Sequence, residues 1–121
     1  MARVLVVDDD ERVLKSVERV LTSAGHDVHT QTRGELSLDI ATSQPFDVAV
    51  VDYNLQELDG LEVLQRLREI QPRCVRMLMT GELVLPLVVT AVNVGKVSRV
   101  IEKPFDANTL VETVSEALSN H

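Results

Sequence analysis

Val4-Leu5-Val6-Val7-Asp8-Asp9-Asp10 is the stretch on which the fold of this chain turns. Four consecutive apolar residues, three of them β-branched, read as a short strand covered on both faces, since a strand with one wet face alternates apolar and polar positions. Three carboxylates follow at once, where the chain must leave the sheet. A second run, Val48-Ala49-Val50-Val51-Asp52, repeats the design and again ends in an acid. Strands buried on both faces need helices above and below, and the sequence supplies them. Val13, Leu14, Val17, Val20, Leu21 and Ala24 recur at spacings of one and three between charged residues, and Gly25 stands where that helix would stop.

Outward from these runs the alternation continues. The pattern predicts a weak strand at residues 28–30, a short helix over 35–43, a strand ending at Asp52, and a helix over 60–70 closed by Pro72. A fourth strand over 74–80, a helix over 84–94 with Pro86 in its first turn, and a fifth strand over 97–102 follow. Asp106 is placed to cap a last helix whose stripe is Leu110, Val114, Ala117 and Leu118. Five strand–helix units in 121 residues leave about 24 each, close to the minimum for a right-handed crossover between parallel strands. We therefore expect one α/β domain over residues 1–121, with no linker, repeat or low-complexity run and no effector domain in the chain.

Composition narrows the function. Nineteen Asp+Glu against twelve Lys+Arg give a net charge of −7, which repels phosphate backbones and argues against direct nucleic-acid binding. Phe46, Tyr53 and Phe105 are the only aromatic residues, so few platforms exist for stacking bases. Cys74, the single cysteine, excludes an internal disulfide and a cysteine-based zinc site and reads as a small buried or half-buried hydrophobe at the start of a strand. Met1-Ala2-Arg3 runs straight into the apolar tetrad without a secretory leader, and the nearly apolar residues 83–94 are too few to span a bilayer. The expectation is a cytoplasmic protein with no membrane association.

In open parallel sheets, chemistry collects outside the carboxyl ends of the strands. Asp8 and Asp9 end the first strand, Asp52 the third, Thr80-Gly81 the fourth and Lys103-Pro104 the fifth. Two unit charges about 4 Å apart repel by roughly 1 to 4 kcal/mol, so three gathered carboxylates call for a positive partner. A hard divalent cation with oxygen ligands, Mg²⁺ above all, meets that need, and Lys103 supplies a second positive charge.

Asp8-Asp9 after an apolar strand, Asp52 followed by an Asp59-Gly60 turn, Thr80-Gly81 and Lys103-Pro104-Phe105 together resemble the receiver domain of bacterial two-component response regulators, across essentially the whole chain. The resemblance implies a doubly wound, flavodoxin-like sheet of five parallel strands in the order 2-1-3-4-5. It implies that Asp52 is the phosphoacceptor for a sensor histidine kinase, and that Asp8, Asp9, Asp52 and the main-chain carbonyl of Asn54 hold Mg²⁺, Asp8 largely through water. Thr80, Gly81 and Lys103 would receive the phosphoryl group, with Lys103-Pro104 a cis peptide. Asn54 and Glu82 would tune the lifetime of the acyl phosphate, expected to be short. Such a protein is a signalling module that catalyses its own phosphorylation and hydrolysis rather than an enzyme with a separate substrate.

Two features depart from the family's pattern. The position three before Lys103 normally carries the switch aromatic, and here it is Val100. The fourth helix is apolar almost all round, so we expect the surface formed by the fourth helix, fifth strand and fifth helix to bind a partner, a second copy or an effector domain. These departures keep alive a second function, a binding scaffold that works without phosphorylation. Asp8-x-Asp10 alone would also fit a haloacid-dehalogenase-type phosphatase, which needs a longer chain and further motifs. Asp10 and Glu11 read as helix caps rather than metal ligands, and His26 and His29 as solvated side chains with no carboxylate or cysteine partner at ligand spacing; His121 is merely terminal.

Overall fold

The computed structural model describes residues 2–119, so His121 and Met1 of the expected leaderless start lie outside it. Ten elements alternate along the chain: β1 (Arg3–Val7), α1 (Glu11–Ser23), β2 (Asp27–Gln31), α2 (Gly34–Ala41), β3 (Val48–Asp52), α3 (Gly60–Ile70), β4 (Val75–Thr80), α4 (Leu85–Asn93), β5 (Arg99–Glu102) and α5 (Ala107–Ser119). The strands form one parallel sheet in the order β2-β1-β3-β4-β5.

Strand alternation sorts the core into two halves. Val4 and Val6 of β1, with Val48 and Val50 of β3, pack beneath Leu14, Val17 and Leu21 of α1 and Leu110 and Val114 of α5. Leu5, Val7, Ala49 and Val51 point the other way, against Leu38 of α2, Leu64 and Leu67 of α3 and Ala91 of α4. Each such fully buried aliphatic side chain contributes on the order of 1.5–3 kcal/mol, which is why the tetrads bear no polar residue.

Local chemistry sets most boundaries. Asp10, Asp59 and Asp106 accept hydrogen bonds from the amides of Arg12, Glu62 and Thr109 at 2.9, 2.9 and 2.7 Å, capping α1, α3 and α5. Gly25, at φ +95°, ends α1: its amide bonds the Thr22 carbonyl while that of His26 bonds Leu21, a paired closure that needs the left-handed conformation. Some ends differ from expectation. Cys74 and residues 97–98 were expected in strands, but the amides of Cys74 and Val97 bond the carbonyls of Gln71 and Ala91, so they belong to turns. The second helix also stops at Ala41, two residues short of Ser43.

Candidate functional site

Parallel register brings the acids together. Val7 pairs with Val51, so Asp8 and Asp52, each one residue on, leave the sheet side by side. Asp52 pairs with Met79 and Thr80 with Glu102, so Thr80 and Lys103 follow one step later along the same rim. Alternation decides which face each side chain takes. Asp8 continues the face of Val4 and Val6, Asp52 that of Val48 and Val50, and Lys103 that of Ile101, whereas Thr80 continues the face of Leu78.

The result is a compact charged cluster. Lys103 Nζ lies 2.6 Å from Asp8 Oδ2 and 3.0 Å from Asp52 Oδ1. The other Asp8 oxygen accepts the Asp10 amide at 2.9 Å. Asp8 and Asp52 are 0% and 4% exposed, while Asp9 faces solvent. One carboxylate oxygen from each of Asp8, Asp9 and Asp52 falls within 4.8 Å of the others. At that spacing each charged pair repels by roughly 1 to 3 kcal/mol.

Burial, more than any single neighbour, pushes the Asp52 carboxyl above its ordinary value; the Lys103 hydrogen bond opposes this, and the charges of Asp8 and Asp9 add to it. Burial pulls the Lys103 ammonium down, yet its hydrogen bonds to Asp8 and Asp52 outweigh that effect and leave it raised. Three carboxylates against one ammonium leave two negative charges uncompensated. An oxygen-only donor set, two members buried and one open to solvent, fits a hard divalent cation such as Mg²⁺, which keeps several of its waters.

The remaining site residues form the wall beside this cluster. Thr80 is buried, and its hydroxyl donates to the Glu82 carbonyl and accepts from the Glu82 amide, both at 3.2 Å. Asn54, Thr80 and Glu82 line one cleft of about 450 Å³ with Tyr53 and the first turn of α4. A Cβ placed on Gly81 meets nothing within 4 Å, so the space next to Thr80 is open. The Lys103–Pro104 peptide bond is cis.

Gly60, expected in a turn at the start of a helix, has a sharper place in the structure. Its amide donates to the Tyr53 carbonyl at 2.8 Å, and a Cβ there would collide with the Asp52 carbonyl oxygen and sit 2.8 Å from Tyr53 Cα. An Asp-Gly pair directly before a helical stripe was the available signal; that the glycine faces the backbone of Asp52 was not readable.

Comparison with known proteins decides the family. Residues 4–115 match the family model described as the response regulator receiver domain. The chain belongs to the response regulator receiver domain family. It is 34% identical over 110 residues to the photosynthetic apparatus regulatory protein RegA of Cereibacter sphaeroides, covering 91% of this chain and 59% of that protein. It is 30% identical over 117 residues to the transcriptional regulatory protein GlrR of Escherichia coli K12, covering 97% of this chain and 26% of that protein. This receiver domain thus spans between about a quarter and three-fifths of the curated relatives named here. Among solved structures, a CheY-like receiver domain protein of Methanospirillum hungatei superposes with a TM-score of 0.93 at 27% identity, covering 99% and 95% of the two chains. The BeF3-activated DrrB receiver domain superposes with a TM-score of 0.89 at 28% identity, covering 98% of each.

Elsewhere the receiver domain corrects one expectation. His26 and His29 are half-buried rather than solvated. His26 Nδ1 accepts the Ala2 amide at 3.2 Å, and His29 lies edge-on to Phe46 with Nε2 3.4 Å from Asp27 Oδ2. Residues two apart on a strand share a face, so the carboxylate partner was two positions away. Cys74 is buried, and burial pushes its thiol up to about 12. Val100 is half-buried in register with Leu78. Leu83, Val84, Leu85, Val89, Val92 and Val94 are all exposed, Leu85 to 74%. Among the described residues no helix is long and apolar enough to cross a membrane.

Proposed function

We propose that Asp52 accepts a phosphoryl group from the phosphohistidine of a sensor histidine kinase, in a Mg²⁺-dependent reaction, and that the protein signals by altered binding to a partner. The observation that carries this reading is the buried Asp52 carboxylate held by Lys103 beside Asp8 and Asp9, in a chain of the receiver family.

An Asp52 carboxylate oxygen attacks phosphorus; the new P–O bond forms as the P–N bond breaks, and its electron pair stays on the imidazole, which takes up a proton. Phosphoryl transfer asks mainly for positioning and charge neutralisation. Lys103 faces the phosphoryl oxygens from one side, and the Thr80 hydroxyl, bound only to Glu82, is free to turn toward them. Asp8, Asp9, Asp52 and the Asn54 carbonyl would hold Mg²⁺, which when bound neutralises charge on the transferring group. Water later attacks phosphorus, releasing inorganic phosphate and restoring the carboxylate, with Asn54 and Glu82 flanking its approach and keeping the acyl phosphate short-lived. A small phosphodonor with Mg²⁺ should serve in place of the kinase. The setting is cytoplasmic.

The apolar α4 surface, with β5 and α5, is the proposed output face for a second copy or an effector domain. A scaffold that docks without phosphorylation is the second reading, favoured by Val100 and by that same exposed face. Incubation with Mg²⁺ and acetyl phosphate separates the two: intact mass should rise by one phosphoryl group in the wild type and not in Asp52→Asn. An unmodified wild type would favour the scaffold.

A further inference from the structure

Arg76 stands apart from every other charged residue of the sheet. It is the second residue of the mostly apolar strand β4, opposite Ala49, and it is 8% exposed. Among the described residues its guanidinium reaches no carboxylate within hydrogen-bonding distance; instead Nη1 donates to the Cys74 carbonyl at 2.8 Å and Nη2 to the Lys96 carbonyl at 3.1 Å. Among the described residues, Arg76 Nε is the one buried side-chain nitrogen or oxygen without a hydrogen-bond partner. An apolar side chain of similar size would avoid that desolvation, so the fork must be judged by what it holds.

It holds the turn between α4 and β5. Lys96 has φ +53°, a conformation that a residue with a Cβ seldom adopts unless its surroundings impose it. The main chain of Arg76 grips the same turn, its carbonyl accepting the Ser98 amide at 2.7 Å. The opposite end of α4 begins just past Thr80, whose hydroxyl is tied to Glu82 by two longer bonds. Arg76 and Thr80 lie four residues apart on one strand and share its face: Arg76 ties the turn that follows α4 to β4, whereas the Thr80 hydroxyl bonds only Glu82, within the turn that precedes α4.

We propose that Arg76 is a positioning residue that pins the α4–β5 turn to β4, so that α4 responds to phosphorylation by moving its Thr80 end while the Lys96 end stays fixed. The moving end then carries Leu85 together with Leu83 and Val84 of the turn before it, and the fixed end Val92 together with Val94 just past it. This rests on the reading that Thr80 answers a phosphoryl group at Asp52.

Amide hydrogen exchange, with and without Mg²⁺ and beryllofluoride, tests it. In the wild type, protection should change across residues 82–90 and stay constant across 94–98. In Arg76→Met, exchange at 94–98 should quicken about tenfold before any phosphoryl analogue is added, and the response to beryllofluoride should spread to those residues. Arg76→Lys, which keeps the charge but not the fork, should resemble Arg76→Met. Unchanged exchange at 94–98 in both variants overturns the proposal, as does a wild-type response centred on 94–98. If the variants fail to fold, nitrogen NMR of the wild type decides: separate Nη1 and Nη2 signals support a held fork, and a single averaged signal overturns it. Failure of acetyl phosphate to modify Asp52 would sink the phosphoacceptor reading instead, and it leaves the basal exchange result standing by itself.

Discussion

Lys103 Nζ lies 3.0 Å from Asp52 Oδ1, across the gap between the ends of two strands that do not touch, since β4 separates β3 from β5. The same ammonium meets Asp8 at 2.6 Å. One cation therefore offsets two buried carboxylates, and the electrostatic behaviour of the domain follows from that imbalance.

Asp52→Asn should raise the melting temperature at neutral pH without metal. The pKa of the folded Asp52 carboxyl is raised above its ordinary value of 3.8, so the unfolded chain ionises first and stability falls as pH rises through the window above 3.8. Each tenfold weakening of the acid is worth about 1.4 kcal/mol, or roughly 5–6 °C in a domain of this size. The gain from Asn should therefore shrink as pH approaches 3.8 from above. Thermal unfolding of both proteins across pH 3 to 8 measures it, and a gain independent of pH would count against a buried, ionised Asp52.

Lys103→Met should lose on the order of 3–5 kcal/mol, because it strands two buried carboxylates. The folded ammonium is raised above 10.5, so its contribution is fully present below that pH and is lost as pH climbs through the higher folded value. Urea unfolding at pH 8 and again above pH 11 should show the difference between wild type and Lys103→Met narrowing at the alkaline end.

Mg²⁺ should stabilise the wild type by about 2.7 kcal/mol at a hundredfold excess over its dissociation constant. Asp9→Asn should melt higher than wild type without metal, having shed one repelling charge, and should gain less from Mg²⁺. Differential scanning fluorimetry with a Mg²⁺ titration reads both effects, and a flat wild-type response would mean that the cluster does not bind the ion.

Gly60→Ala and Gly81→Ala should diverge. The first drives a methyl into the Asp52 carbonyl, where overpacking costs about 1–3 kcal/mol, and, if Asp52 is the phosphoacceptor, it should slow acetyl phosphate labelling by displacing that carboxylate. The second places its methyl in open space and should change stability by less than about 0.5 kcal/mol. Equal melting temperatures for the two variants would contradict the packing described here.

Leu85→Lys should leave stability within about 0.5 kcal/mol, because Leu85 is 74% exposed. If α4 is the output face, the same change should weaken self-association or effector binding, which sedimentation velocity with and without beryllofluoride would resolve.

Much of this molecule is legible without coordinates. The β-branched tetrads, the 3.6-residue stripes and the caps at Asp10, Asp59 and Asp106 all act within a few residues, so element order and most boundaries follow from the chain itself. So does the arrival of acids at strand ends. The half-buried histidines were not legible in this way, because Phe46 and Arg3 reach His29, and the Ala2 amide reaches His26, from other parts of the chain.

What the sequence determined alone is a set of strands and helices with Asp8, Asp9, Asp52, Thr80 and Lys103 each at a strand's carboxyl end. Only the tertiary structure decided that Lys103 spans Asp8 and Asp52, that Gly60 abuts the Asp52 carbonyl, and that Arg76 grips Lys96. The physical reason is range. Periodicity and capping are local, whereas the meeting of Lys103 with Asp8, 95 residues apart, depends on strand order, register and the face each residue takes.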